Sequence, residues 1–522
     1  MSGLRGITKN LSALFSGHAI SILQQLALVP FFIHSYGKAG YGEWLALSAA
    51  VSYLGTLDFG VQTYVNQDLT VRYHNGDMQG FHIQQSTALR LLLGIVTVAA
   101  ALALFSFLLP LQHWLRMDGS ATLLGTPSPV VPANIVHGAI YLLALQILTN
   151  IPAGYFFGTF MVVRKAYIGG YWNNVKYLLL ILVTIVCVWF HVSFQTLALA
   201  QLLCVGTALA GAMIHLRSIA PHIFPTLRYW DGSSVGKILS QSGHFAILWS
   251  SNFLAYQLPV LILQRSVGPV AVTLFAIMRT IFSMTRNQLN VLTQAMGPEI
   301  TTLFGRKDWK ALSVLYNYSE RLVFSAIPIV NLGVLFLSPF LLVLWTHDRS
   351  MFLPHAYLLC AAVSIVMSTK EHKYQFQFST NTVRELARFV FLSYLVLDGI
   401  WLAAIPRFGL AGLLWGWLGI ELCQLLYIVR LNFHLFVYQE RLDLKFLVRL
   451  SVLATALLLV ANRALPYTVK LSLPTQVTIA IALGLLIFAL DFPLFDLAPI
   501  LRKFRERFKR KSAPQVAREF EQ

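Results

Sequence analysis

The chain has 522 residues, of which 57% are hydrophobic and only 11% charged, with a formal net charge of +18. Soluble domains carry about 25% charged residues and stop enlarging a single core near about 250–300 residues. A chain this long and this apolar is therefore excluded as a soluble enzyme or binding module: its side chains are accommodated only if lipid is part of the solvent.

The elements follow in chain order as apolar runs long enough to cross about 30 Å of hydrocarbon, which takes about 20 residues. They fall at 11–33, 43–66, 87–110, 136–161, 167–190, 194–216, 242–264, 269–292, 321–345, 353–369, 385–406, 409–430, 446–463 and 475–492. Arg5 and Lys9 precede the first run, as in a signal peptide, but the run is too long for one and lacks a small-residue cleavage site. It reads as an uncleaved first span. Most of the 39 Lys and Arg residues fall on one side of the loops, which places both termini in the cytoplasm. The expected class is all-α integral membrane, with about fourteen transmembrane helices.

A faint internal repeat divides these spans. Ser16-Gly17-His18 opens the first and Ser242-Gly243-His244 the seventh. Each is followed by a late proline, Pro30 or Pro259, and then by an outer-turn glycine, Gly40 or Gly268, all at nearly one offset. Repeats of this kind are common in transporters. The expected parse is a six-helix lobe over 1–216, a cytoplasmic linker at 217–241 and a second six-helix lobe over 242–430. Helices 13 and 14 follow over 431–498, and a basic cytoplasmic tail over 499–522. The two lobes are expected to be related by a pseudo-two-fold axis. The tail clusters Arg502, Lys503, Arg505, Arg507, Lys509, Arg510 and Lys511 around Glu506. It reads as a topology anchor or as a segment drawn to anionic lipid.

Ionisable residues inside spans carry the chemistry, because a cation at the bilayer centre costs about 2.5–3.5 kcal/mol and faces a bundle interior or a wet cavity. Three qualify: Lys176, Arg279 and Arg286. Arg279, Ser283, Arg286, Asn290 and Thr293 recur at helical spacing along the eighth span, while Leu274, Ile281 and Leu289 lie elsewhere around it. His18, Ser21 and Gln25 share a face of the first span, and His244 takes the equivalent place in the seventh. These residues, with Lys176 and Asn173 in the fifth span, predict a cationic, water-accessible substrate cavity. In the competing reading the cations pair with intramembrane acids, Asp58, Asp398 or Glu421, and only hold helices together. Asp58 and Glu421 are the candidates for ion coupling to a proton or sodium gradient, and Asp58 is equally suited to hydrogen bonding at a helix kink.

Several chemistries have no counterpart in the residues. No phosphate-binding Gly-Lys-Ser/Thr loop is present, and no catalytic residue, metal site or cofactor is expected. Cys187, Cys204, Cys360 and Cys423 lie far apart in apolar runs, without metal or disulfide spacing. The basic residues are distributed as topology requires, so nucleic acid is not a partner.

The stretch YGEWLALSAAVSYLGTLDFGVQTYVNQ at 41–67 resembles the second-span signature of bacterial polysaccharide flippases, in which the span ends on Asp-hydrophobic-Gly, here Asp58-Phe59-Gly60. Phe275-Ala276-Ile277-Met278-Arg279 with Pro298 resembles the eighth-span pattern of the related lipid II flippases. Pro406-Arg407-Phe408-Gly409-Leu410-Ala411-Gly412 resembles the turn entering their twelfth span. The family is the O-antigen/lipid-linked oligosaccharide flippase branch of the multidrug/oligosaccharidyl-lipid/polysaccharide exporter (MOP) superfamily. The resemblance implies two lobes about a central cavity and alternating access. It implies transfer of undecaprenyl-diphosphate-linked oligosaccharide, a polyprenyl-diphosphate glycan, to the outer leaflet of the bacterial cytoplasmic (inner) membrane. By motif it carries over only Asp58, Gly60 and Arg279; Lys176, Arg286 and the histidines rest on spacing. Implied partners are membrane lipid, an ion gradient and a polysaccharide polymerase or ligase. Two alternatives stay open: a multidrug/cation exporter of the same fold, and a membrane-embedded glycan polymerase or ligase.

Overall fold

The computed structural model describes residues 2–117, 132–294, 296–380, 382–436, 444–468 and 471–491. The basic tail lies outside the described residues, among which there is no β-strand.

Helix α1 (Ser2–Ser52) contains two predicted spans in succession, joined at Gly37. Its 51 residues amount to about 76 Å at 1.5 Å per residue, more than twice the hydrocarbon thickness. The helix must therefore double back, and Gly37 is where it does, at φ 69° and ψ 178°. A Cβ there would meet nothing within 4 Å, so conformation alone demands glycine. Gly40, expected in this turn, is helical instead.

The second predicted span does not continue as one helix. It ends at Ser52, passes through a 3₁₀ turn at Tyr53–Asp58 and left-handed Phe59 and Gly60, and resumes as α2 (Val61–His74). Next come α3 (Met78–Ala103), the single turn α4 (Leu111–Trp114), α5 (Ala133–Thr159), α6 (Ala166–Trp189) and α7 (Phe194–Ile219).

The seventh span is likewise two pieces, α8 (Gly232–Tyr256) and α9 (Leu258–Ser266), because Pro259 has no N–H to continue the ladder. Helix α10 (Pro269–Gln294) matches the eighth span and is followed by the short α11 (Gly297–Gly305).

Two spans are longer than expected: α12 (Trp309–Thr346) begins well before residue 321, and α13 (Pro354–Ser379) runs past residue 369. Polar residues there lowered the local hydropathy, yet Glu320, Lys370, His372 and Lys373 are all buried. Helix α14 (Val383–Leu435) again holds two spans, turning at Gly409 with φ 56°. Helices α15 (Leu444–Thr468) and α16 (Leu473–Asp491) complete the described chain. Counting α1 and α14 twice and α8 with α9 once, the long helices among the described residues are roughly consistent with the expected fourteen. Eight helices among the described residues are long and apolar enough to cross a membrane, so the protein is a multi-pass membrane protein.

The chain packs as two compact units, each with its own interior. One takes the described residues of Met1–Met284, Leu342–Met351 and Thr382–Gln424, and the other those of Thr285–Leu341, Phe352–Asn381 and Leu425–Gln522. In the first unit, small residues let backbones approach, as expected where lipid supplies no hydrophobic drive between helices. A Cβ on Gly42 would lie 1.9 Å from the Pro269 carbonyl oxygen, and one on Gly169 would lie 2.0 Å from that of Phe157. The second unit packs bulkier groups: Leu289, Phe324, Ile327 and Phe446 in one cluster, Tyr316, Phe376 and Phe436 in another.

Candidate functional site

The break between α8 and α9 gives Arg279 its place. Where Pro259 interrupts the helix, Val260 and Leu261 both donate to the Gln257 carbonyl, and the neighbouring Tyr256 carbonyl meets a side chain from α10. Arg279 Nη1, half-buried on α10, donates to that oxygen at 2.7 Å, and its guanidinium lies 5.4 Å from the Phe275 ring centroid. The fork of an arginine has five N–H donors, so it can meet more than one partner at a time.

Lys176 is 7% exposed on α6. Its ammonium donates to Asn150 Oδ1 on α5 at 2.9 Å and stands 4.5 Å from the Tyr177 ring centroid and 5.8 Å from that of Phe157. None of the ion pairs among the described residues includes it. An amide oxygen and ring faces can stabilise an ammonium without cancelling its charge, and no carboxylate stands among the described partners of Lys176.

The remaining candidates divide between the units. His18 is exposed on α1, on a groove between α1 and α6. Gln25 lies a little deeper along the same helix, donating to Ser21 Oγ at 3.4 Å. The side chain of His244, on α8, lies outside what the structure describes. In the second unit, Arg286 Nη1 lies 3.1 Å from Met367 Sδ on α13, and the Asn290 oxygen accepts from Thr293 at 3.3 Å.

Of the ion-coupling candidates, Asp58 accepts from the Gln62 backbone N–H at 3.3 Å and so caps the start of α2. Glu421 is fully buried, with Oε1 accepting from the Tyr394 hydroxyl at 2.5 Å and from Trp417 Nε1 at 3.2 Å.

Sequence reasoning missed a buried polar cluster in the second unit. Lys373 on α13 pairs with Glu320 on α12, and its ammonium lies 4.1 Å from the Tyr316 ring centroid and 4.9 Å from that of Phe324. Beside it, His372 Nε2 and Ser319 Oγ are 2.8 Å apart, and Asn432 donates to the Lys373 carbonyl at 3.2 Å. The signal was present as Glu320 and Lys373 themselves. Both fell just beyond the predicted span edges and read as loop charges. Asp398, on α14, is 5% exposed and neither carboxylate oxygen has a hydrogen-bond partner among the described residues. Glu43, fully buried on the second half of α1, lies inside a predicted span and was overlooked as an intramembrane acid.

No protein-family model matches the chain, and no curated protein matches it. Solved structures do. An inward-facing multidrug resistance MATE family transporter of the MOP superfamily aligns with TM-score 0.66 at 12% identity, over 80% of this chain and 96% of that one. The lipid II flippase MurJ, in an inward closed conformation, aligns with TM-score 0.64 at 11% identity, over 93% of this chain and 99% of that one. The MATE multidrug transporter DinF-BH, in complex with R6G, aligns with TM-score 0.53 at 16% identity, over 83% and 96%. The fold is that of MOP superfamily transporters.

Proposed function

We propose that this membrane protein is a flippase that carries undecaprenyl-diphosphate-linked oligosaccharide from the cytoplasmic to the outer leaflet of the bacterial cytoplasmic membrane by alternating access. The observation that supports it most is Lys176: a buried ammonium inside a span whose described partners leave its charge uncancelled. Such a charge suits an anionic cargo. Arg279 adds a planar fork that grips phosphate oxygens two at a time, at charge-assisted strength. The head group enters a polar cavity while the polyprenyl tail stays in lipid. Arg286, Asn290, His18, Gln25 and His244 remain candidates for lining that cavity, and Asp58 and Glu421 for taking the coupling proton or sodium ion.

A second reading, a cation exporter of the same fold, is favoured by Asp398, a buried acid without a described partner, which suits a cationic cargo. One experiment separates the two. Lys176→Ala and Arg279→Ala are each expected to cut glycan export about tenfold or more, the loss of one charge-assisted contact, with membrane abundance unchanged. Arg279→Lys is expected to rescue only part. Normal surface glycan from stable variants, together with loss of dye efflux in Asp398→Asn, is the result that replaces the flippase by the exporter.

A further inference from the structure

The face of α1 that carries His18 borders a groove of about 730 Å³ against α6, within the range of about 300–1,000 Å³ usual for small-molecule sites. Close helix contact makes its floor. A Cβ on Gly17 would lie 2.9 Å from Asn174 Oδ1, and one on Gly170 would lie 3.2 Å from the Ala13 Cβ. Asn174 locks that contact by donating to the Ala13 carbonyl and to Ser16 Oγ, both at 2.9 Å.

The walls are largely apolar, interrupted by uncharged polar side chains. His18, Ser21, Gln24, Asn173, Tyr167 and Tyr177 line the groove, and no Asp, Glu, Lys or Arg is among its described lining residues. His18, Gln24 and Asn173 have no hydrogen-bond partner among the described residues. Inside a membrane protein an amide or imidazole left facing lipid costs free energy, so this face is built to meet water or a hydrogen-bonding ligand. Cations stand beside the groove without entering its lining: Lys9 lies 5.0 Å from the Tyr167 ring centroid, and Lys176 lies behind Tyr177.

We propose that this groove is a subsite for the sugar of the cargo, separate in chemistry from the cations that meet its diphosphate. The inference rests on the flippase reading and adds which part of the head group is held here. Amides offer two donors and an acceptor each, and imidazole offers one of each, a set that matches neighbouring hydroxyls. The rings of Tyr167 and Tyr177 in the lining suit the C–H face of a pyranose. A phosphate or a cation finds no opposite charge in the lining.

The test compares two probes on the full chain in nanodiscs: the lipid-linked glycan pool extracted from the producing cells, and undecaprenyl diphosphate without sugar. Wild type is expected to bind the glycan-bearing lipid about tenfold more tightly, the worth of two neutral hydrogen bonds. The double variant Asn173→Ala with Gln24→Ala is expected to lose that preference while keeping its affinity for bare undecaprenyl diphosphate. His18→Ala, on the exposed face of α1, is expected to reduce the preference about threefold and serves if the double variant melts early. Equal affinity of wild type for both probes overturns the sugar subsite and leaves the flippase standing, as does a variant that keeps the full preference. Binding of neither probe by wild type overturns the flippase reading itself, and the subsite with it.

Discussion

At the scale of single residues, two cations inside the membrane are stabilised in opposite ways. Lys176 has only neutral described partners, whereas Lys373 pairs with Glu320 beside the Tyr316 and Phe324 rings. The second arrangement is self-sufficient and buried, which marks it as structural. Removing one member of a buried pair strands the other charge and costs about 3–5 kcal/mol, while replacing both with apolar groups of similar size is often neutral. Lys373→Met and Glu320→Gln are each expected to reduce membrane abundance and melting temperature sharply, and Lys373→Met with Glu320→Met to recover most of both. A double variant as damaged as the singles contradicts the pairing. The same comparison at Lys176 has no acid to delete, so its loss is expected to register in export and not in abundance.

At the scale of elements, the breaks in the helices do as much as their apolar faces. Gly37 and Gly409 turn α1 and α14 back through the membrane at positive φ. Placing alanine in such a conformation costs about 1–3 kcal/mol. Gly37→Ala and Gly409→Ala are each expected to lower the melting temperature in detergent. Gly94 and Gly206 are helical glycines with open space where a Cβ would go, so alanine at either is expected to be neutral.

Just past the Gly37 turn, Lys38 meets Asp348 at 2.5 Å and donates to Ser350 Oγ at 3.1 Å. Partial burial pushes the Asp348 carboxyl up, but Lys38 and Ser350 outweigh it and hold it below the ordinary carboxylate range. A depressed carboxyl contributes stability above its unfolded pKa and loses it as pH falls through the folded value. The contact is therefore expected to persist at neutral pH and to open only in acid below the usual carboxylate range. Hydrogen–deuterium exchange across 345–351 as a function of pH measures it. Opening between pH 6 and 7 would count against the Lys38–Asp348 link.

At the scale of the whole molecule, the fourteen-span reading with cytoplasmic termini makes definite statements about sides. Single cysteines at Gly232 and Lys307 are expected to react only with reagent admitted to the cytoplasm, and a cysteine at Pro354 with reagent added outside. External labelling at 307 rules out this topology. The likeness to MATE and MurJ structures extends over most of the chain at 11–16% identity. Fold is therefore retained where sequence is not, and cargo must be argued from the charges and amides of the chain itself.

The residues alone determined the all-helical membrane class and the presence of Lys176 and Arg279 inside apolar helices. Each of these depends on a local sum: twenty apolar side chains make a span whatever lies elsewhere, and a cation within one stands out against that background. Only the tertiary structure decided what local sums cannot contain. Hydropathy ended α13 near residue 369 because Lys370, His372 and Lys373 are polar, yet the helix continues to Ser379 because Glu320, 53 positions away, pairs with Lys373. Asp58 accepts from the Gln62 N–H at the start of α2, and Arg279 donates to the Tyr256 carbonyl beside the Pro259 break. A charge near a span edge is exposed or buried according to what the fold brings beside it, and that partner is distant in sequence.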